Sequence, residues 1–160
     1  MKAVFDSNVY VSALAIPGGV AARALQAAVE GRFELVLSRP IIVEVLDVLA
    51  RKFARDAQEL SRTALFLSSV GAIVTPRRTL RVLRDEPDNR ILECAIEARA
   101  DVVVTGDRAM LSLGTWEGIR IVALREFVDL LETPPPVVHQ ARAAYEPMKR
   151  KQRPGRLSSP

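Results

Sequence analysis

The chain has 160 residues, of which 49% are apolar, so it is long enough for one domain with a substantial core and too short for two. No apolar run approaches the roughly 20 residues of a membrane-spanning helix, and the opening Lys2-Ala3-Val4-Phe5 lacks the features of a secretory signal. A single cysteine, Cys94, excludes an internal disulfide and fits a reducing compartment, so we expect a cytoplasmic protein that does not enter a membrane.

The net charge of +4 comes from one end of the chain. Residues 133–160 carry six Lys or Arg and one acid, a net charge of +5, whereas the first 132 residues carry 17 bases and 18 acids, a net charge of −1. A basic tail is typical of proteins that meet nucleic acid or an acidic partner. A solvated terminus without a specific partner explains the tail equally well.

In the first part of the chain, apolar runs of strand length alternate with segments of helical period. Gly31 and Gly71 end two of the helices, and Ser38 followed by Pro40 marks the start of another. We predict strands at residues 4–5, 35–37 and 72–74 and helices at residues 20–30, about 39–53 and 56–69.

The alternation continues after an arginine-rich stretch. The further predicted helices are at residues 87–99, about 108–113 and 124–132, and the further strands are at residues 101–105 and 118–122. Such alternation implies right-handed crossovers and a parallel sheet between two helix layers. The wholly apolar Val102-Val103-Val104 is typical of a strand that is buried on both faces. We predict a three-layer α/β domain over residues 1–132, with a sheet of about five strands.

The pattern changes at Thr133, where a Pro-rich basic tail of residues 133–160 begins. Pro134-Pro135-Pro136 predicts a stiff extended spacer. The sequence of residues 137–146 is compatible with a short helix. We expect the last ten or so residues to order only with a partner.

The residue types present exclude several kinds of chemistry in the domain. The only histidine, His139, lies in the tail, so the domain has no imidazole base, no Ser-His pair and no His-based zinc site. Cys94 lacks a histidine partner and falls on the apolar side of its helix, which indicates a core residue. No glycine-rich phosphate loop follows a strand. Carboxylates, hydroxyls and arginines remain, and oxygen ligands suit Mg²⁺ or Mn²⁺.

Two aspartates lie where strands end. Asp6 ends the first strand, and Asp107 follows the fourth strand by two residues. Sites in open parallel sheets form outside the carboxyl ends of the strands. Each aspartate also suits the N-cap of the next helix, which is the better explanation for either one taken alone.

Two further acids lie on predicted helices. On a helical wheel, Asp88 shares its side with Leu92 and Ala95, so it should face the core, where a carboxylate needs a partner. A bond to free N–H groups at the helix start would satisfy it as well as a metal. Glu44 lies just outside an apolar stripe, where most glutamates are solvated. Together the four acids can converge only if a cation offsets their repulsion.

Three stretches carry a resemblance to a known family. The opening Val4-Phe5-Asp6-Ser7-Asn8-Val9 resembles the first motif of PIN domains, and residues 85–95 (DEPDNRILECA) and 100–111 (ADVVVTGDRAML) resemble the second half of that family. The likeness is strongest to PIN proteins described as toxins of bacterial and archaeal toxin–antitoxin pairs. It covers about residues 1–132 and leaves the tail unexplained.

The resemblance implies a parallel sheet between helices and the metal-dependent hydrolysis of RNA phosphodiester bonds, with Mg²⁺ or Mn²⁺ as cofactor. Ser7 and Thr105 match hydroxyl positions that orient the carboxylates or a water, whereas Arg108 follows the last acid without an assigned catalytic role. Asp47 lies one turn from the glutamate position and leaves that assignment open. The acids that match the family's catalytic and metal-binding positions are Asp6, Glu44, Asp88 and Asp107.

The predicted partners are RNA, a second copy of the chain and an antitoxin protein that covers the cleft; the last two follow from the family likeness alone. The arginine-rich stretch would contact RNA phosphates or, equally well, form a solvated edge. Few aromatic residues are available, so stacking on bases should be limited. The arginines of this stretch are Arg77, Arg78, Arg81 and Arg84, and Arg108 is a further candidate for contact with RNA.

Two alternatives to a ribonuclease stay open. The first is an RNA- or partner-binding module of this fold without turnover, although the presence of all four acids argues against it. The second is a phosphatase with Asp6 as the phosphorylated nucleophile. Such enzymes require a second acid where this chain has Asn8, which makes this alternative the weaker one.

Overall fold

A mostly parallel six-stranded sheet organises the chain, and the computed structural model describes residues 1–134. The strands are β1 (Lys2–Phe5), β2 (Glu34–Ser38), β3 (Ala72–Val74), β4 (Val102–Val104), β5 (Thr115–Trp116) and β6 (Ile119–Val122). The helices are α1 (Ser7–Ala15), α2 (Val20–Val29), α3 (Arg39–Phe53), α4 (Ala57–Val70), α5 (Glu86–Ala98), α6 (Arg108–Leu111) and α7 (Leu124–Glu132).

The strand order in the sheet is β3-β2-β1-β4-β6-β5, and every pair is parallel except the β5–β6 hairpin. Consequently β1 lies between β2 and β4, and the carboxyl ends of β3, β2, β1, β4 and β6 follow one another along a single edge. The tail predictions, including His139 and the short helix over 137–146, fall outside the described residues.

Helices cover both faces of this sheet. Side chains of successive strand residues point to opposite faces, yet Val102, Val103 and Val104 are all buried, as are Ala3 and Val4 in β1. Strands buried on both sides require cover on both sides, and α5 supplies part of it by packing across β1, β2, β3 and β4. The predicted three-layer α/β architecture is confirmed.

Two elements were missed by the sequence analysis. The first is α1, which begins directly after β1; its Val9, Tyr10 and Val11 are all buried, so it shows no clear polar side. The second is β5, which raises the strand count from about five to six. Its turn to β6 places Glu117 at φ 46° and Gly118 at φ 80°. Two positive φ angles are typical of a tight hairpin turn, but Glu-Gly is not one of its strong sequence signals.

The core beneath the carboxyl end of β1 is aromatic. Phe5 contacts Tyr10, Phe33 and Phe127, with ring centroids 5.4 to 5.7 Å apart. Cys94 is fully buried, and burial raises the pKa of its thiol to about 12, which confirms a core residue. No single helix within residues 1–134 has the length and hydropathy to cross a membrane, although α1 and α2, which meet at 99°, pass that test as a bent pair.

Candidate active site

Two of the predicted acids meet at the centre of the strand-end edge. In the register of β1 and β4, Phe5 lies opposite Val104, so Asp6 and Thr105 are the next residues on adjacent strands. The Asp6 backbone N–H donates to the Val104 carbonyl at 2.9 Å, which fixes that alignment. Asp107 follows two residues after Thr105.

Thr105 links the two acids through its hydroxyl group. The fully buried Thr105 Oγ1 donates to Asp6 Oδ2 at 2.7 Å and accepts from the Asp107 backbone N–H at 3.0 Å. One side chain therefore orients the first carboxylate and holds the backbone that carries the second. These are the contacts expected of a residue that orients carboxylates.

Both aspartates also cap helices, as anticipated for each one alone. Asp6 Oδ1 accepts from the Asn8 N–H of α1 at 3.4 Å, and Asp107 Oδ1 accepts from the Met110 N–H of α6 at 2.9 Å. Capping uses one oxygen of each carboxylate. Within residues 1–134, Asp107 Oδ2 has no hydrogen-bond donor, so capping and a second role are compatible.

Asp88 lies in the first turn of α5, half-buried, and its carboxylate accepts no hydrogen bond from the described part of the chain. The helix-start explanation for this acid is therefore not what the structure shows. The pKa of Asp88 is raised to about 6. Burial is the largest cause, and the negative charges of Asp107, Asp6, Asp85 and Glu44 raise the pKa further. The charges of the three other predicted acids therefore reach Asp88, so all four acids lie in one neighbourhood at this edge of the sheet.

Glu44 and Asp47, which the sequence left open as alternatives, occupy different surroundings. Asp47 is exposed and forms an ion pair with Arg51 at 2.8 Å on the same helix. Glu44 is half-buried and lines a cavity of about 170 Å³ together with Ser7, Pro40 and Arg90. We call this space the acid cavity; Glu44 and Glu86 line it, whereas Asp47 does not.

Asp6, Glu44, Asp88 and Asp107, which we call the acid cluster, share one electrostatic property. None of the four forms an ion pair with a base in residues 1–134. Burial also raises the pKa of Asp6, although the Thr105 hydroxyl and the Asn8 N–H oppose that rise. Crowded, partly buried carboxylates without a basic partner are the donor set that a hard divalent cation fits.

The acid cluster is not a closed coordination shell. Within residues 1–134, no three Asp, Glu, His or Cys side chains stand close enough together to hold one ion. The role of the four acids as metal ligands stays a prediction.

Ser7 and Arg108, two further residues of the prediction, differ in burial and location. Ser7 is the buried first residue of α1 and lines the acid cavity. Arg108 is exposed at the start of α6, and its backbone carbonyl accepts from the Ser112 hydroxyl. No contact of the Arg108 side chain assigns it a function.

The arginine-rich stretch divides into two pairs. Arg77 forms an ion pair with Glu97 at 3.2 Å, and Arg78 forms one with Glu117 at 3.3 Å. Arg81 and Arg84 are exposed and have no carboxylate partner within residues 1–134. If any of the four contacts RNA phosphates, the second pair is better placed to do so.

Two functional neighbours were missed by the sequence analysis. Asn89 is buried and bonds the preceding loop through Oδ1, which accepts from the Val82 and Leu83 N–H groups at 3.0 and 2.8 Å. Glu93 is buried and accepts from the Leu80 N–H at 2.7 Å. Both residues hold the loop that leads into α5 and thereby fix the place of Asp88. Their polarity on the buried side of α5 was the available signal.

Comparison with known proteins gives three findings. The family described as "PIN domain" matches residues 2–109. An uncharacterised protein of Methanocaldococcus jannaschii is 32% identical over 117 residues, which are 71% of this chain and 75% of that protein. The crystal structure of VapBC2 from Rickettsia felis, bound to a DNA fragment from their promoter, matches with a TM-score of 0.59 at 14% identity, over 77% of this chain and 98% of that chain. At that identity, the structural likeness shows the fold.

Proposed function

The chain belongs to the PIN-domain family, and we propose that it is a divalent-metal-dependent endoribonuclease that hydrolyses RNA phosphodiester bonds. The observation that carries the proposal is the acid cluster itself. Four carboxylates surround one edge of the sheet, a buried threonine links two of them, and none has a basic partner within residues 1–134.

In this proposal the acid cluster holds Mg²⁺ or Mn²⁺. When bound, the metal supplies positive charge to the scissile phosphate and lowers the pKa of a water. Asp6 is the most rigidly placed acid because Thr105 and the Asn8 N–H hold both of its oxygens. Glu44 and Asp88, each on a helix, complete the cluster from the sides. A carboxylate of the cluster takes the proton of the attacking water, and Ser7 helps to orient that water.

The arrangement also explains why no histidine base is needed. In this proposal the metal lowers the pKa of the bound water, so a carboxylate is a sufficient acceptor for its proton. The Cys94 thiol beneath the site is buried and protonated, so the proposed chemistry does not use it.

The decisive experiment measures cleavage of a labelled single-stranded RNA by the full chain with a chelator and with added Mg²⁺ or Mn²⁺. Asp107→Asn should lower the metal-dependent rate by more than about 100-fold, because losing a ligand should cost more than losing a residue that merely orients one. Asparagine keeps an oxygen for the Met110 N–H, so the fold should survive. Glu44→Gln should also lose activity.

Asp47→Asn is the matched control for these variants, since Asp47 lies one turn from Glu44 but points to solvent with Arg51. It should cleave at the wild-type rate. Asp107→Asn cleaving as fast as the wild type would contradict the proposal. A wild-type protein that binds RNA without cutting it would favour the non-catalytic binding module instead.

We further propose that the chain is the toxin of a toxin–antitoxin pair, located in the cytoplasm. The support is family membership together with the fold shared with VapBC2. A small antitoxin should then bind over the acid cluster, co-purify when co-expressed from the neighbouring gene, and suppress cleavage. Exposed apolar residues on α4 and β3, Leu65, Phe66 and Ile73, support a homodimer, which light scattering would detect.

A further inference from the structure

A second and larger cavity lies beside the acid cavity, with a volume of about 420 Å³. The two cavities share Pro40 and Arg90 as walls, so they are adjacent. The other residues that line the second cavity are Arg39, Val74, Thr75, Pro76 and Glu93, whose carboxylate is paired with Arg90. We call this space the arginine cavity.

Arg39 is the charged group available to a ligand there. Arg90 is already held, because its Nη2 forms an ion pair with Glu93 at 3.0 Å and its guanidinium reaches the Leu80 carbonyl at 3.4 Å. Arg39 is exposed and pairs with no carboxylate in residues 1–134. The arginine cavity therefore carries one uncompensated positive charge, directly beside a cluster of uncompensated negative charges.

The backbone around Arg39 adds to this positive field. Arg39 is the first residue of the 15-residue helix α3, and the Ser38 side chain makes no capping hydrogen bond to that helix. Pro40 contributes no N–H group, so the helix adds to the positive field through the sign of its dipole. The remaining walls differ in chemistry: Pro40, Val74 and Pro76 are apolar, whereas Thr75 offers a hydroxyl.

The arginine cavity also lies at a suitable distance from the acid cluster. It sits at the carboxyl ends of β3 and β2, whereas Asp6 follows β1, the next strand of the sheet. Neighbouring strands are about 4.8 Å apart, so β3 and β1 are separated by about 10 Å. A chain of nucleotides that runs along the strand-end edge would pass from one cavity into the other.

We propose that the arginine cavity binds a nucleotide of a single-stranded RNA next to the phosphate held at the acid cluster. Arg39 contacts its phosphate, Thr75 hydrogen-bonds to its polar groups, and the sugar and base pack against Pro40, Val74 and Pro76. The inference rests on the proposed ribonuclease function for the substrate class. It adds a binding site that orients the RNA across β3, β2 and β1.

The test measures binding of a short labelled RNA to the full chain by fluorescence anisotropy, in chelator so that cleavage does not intervene. Arg39→Gln should raise the Kd about three- to tenfold and reduce the slope of log Kd against log salt by about one phosphate contact. Arg62→Gln, which removes the same charge from an exposed site on α4, should leave both quantities unchanged.

A second pair of variants keeps the inference testable if Arg39→Gln folds poorly. Thr75→Glu places a negative charge in the arginine cavity and should weaken binding more than Arg39→Gln, whereas Ser61→Glu on the exposed side of α4 should not. Thermal unfolding of each variant checks the fold.

The outcomes separate this inference from the proposed function. Cleavage by the wild type, with Arg39→Gln and Thr75→Glu both binding RNA as their controls do, would overturn the arginine cavity alone. Arg39-dependent binding without any metal-dependent cleavage would overturn the ribonuclease and leave the cavity standing.

Discussion

The acidic residues of helix α5 have different surroundings in its first turn and in the rest of the helix. Glu93 and Glu97, in its middle and last turns, each pair with an arginine, and Glu93 also accepts a backbone N–H. Asp88, in the first turn, has neither a base nor a hydrogen-bond donor within residues 1–134, and other acids surround it. Both Asp88 and Glu93 are at least partly withdrawn from solvent.

The difference indicates which acids serve the fold. A buried carboxylate that is paired and hydrogen-bonded contributes to a network that stability requires. A carboxylate left beside other carboxylates costs stability and is retained for another reason, as perturbed groups at functional sites commonly are. Helix α5 thus carries a structural acid, Glu93, and an acid that the fold leaves unpaired within residues 1–134, Asp88, and each can be tested separately.

The largest expected effect on stability concerns the structural acid. Glu93→Ala leaves the buried Leu80 N–H without an acceptor and the half-buried Arg90 without a counter-ion. We expect the free energy of unfolding to fall by about 3 kcal/mol, measured as a lower urea midpoint at unchanged slope.

Glu97→Ala is the matched control for that variant. Glu97 also accepts the Arg77 N–H at 3.3 Å, but the Arg77 side chain is 87% exposed, so the loss of these contacts should cost less than about 1 kcal/mol. Equal losses in the two variants would show that burial does not distinguish the acids of α5 as we describe.

A smaller effect is expected at Thr105, whose hydroxyl group links Asp6 and Asp107, two of the proposed metal ligands. Thr105→Val keeps the shape of the side chain but removes the hydroxyl between Asp6 Oδ2 and the Asp107 N–H. Residues that orient ligands typically contribute about 10- to 100-fold, so metal-dependent cleavage should fall by about that factor. Thr133→Val, which removes an exposed hydroxyl bonded to the Asp129 carbonyl, is the control. Wild-type cleavage by Thr105→Val would contradict the orienting role.

Much of the fold was predictable because its signals are local. Prolines, glycines and capping residues punctuate the helices; Asp56 and Glu59, for example, form the reciprocal cap that opens α4. Helix α1 was missed by the sequence analysis because Val9 and Val11 favour strands. Burial on several sides also leaves the helix without the polar face that marks an amphipathic helix. Strand β5 was missed because its turn places Glu117 at a positive φ, a conformation that the sequence of this turn does not indicate.

The candidate site was predictable to the level of residue type and strand end. Asp6 and Asp107 could be placed because parallel strands bring their carboxyl ends together. The sequence favoured Glu44 through the family likeness, and the structure adds that Asp47, on the same helix, is paired with Arg51. The cavity beside Arg39 could not be predicted from the sequence, because three separate segments, residues 39–40, 74–76 and 90–93, build it.

The smallest expected effect concerns Asp88, whose substitution should stabilise the protein instead of destabilising it. In chelator at pH 7, Asp88→Asn should raise the free energy of unfolding by about 1 kcal/mol. A shift of the Asp88 pKa from 3.8 to about 6 corresponds to about 3 kcal/mol, and the partial exposure of the side chain reduces it through solvent screening.

The pH dependence of this gain follows from its sign. The folded-state pKa is raised, so the folded protein carries no penalty below about pH 3.8, and the penalty grows as the pH rises through about 6. The advantage of Asp88→Asn should therefore appear at pH 7 and vanish near pH 4. Asp47→Asn, the same substitution at an acid paired with Arg51, should show no gain at either pH.

Added Mg²⁺ or Mn²⁺ should change the relative stability of the wild type and Asp88→Asn. A cation that binds only the folded acid cluster stabilises it by mass action. The metal should therefore raise the unfolding midpoint of the wild type more than that of Asp88→Asn and reverse their order. A destabilised Asp88→Asn at pH 7 in chelator would mean that this carboxylate is satisfied in the fold, and the contrast between the two ends of α5 would then be lost.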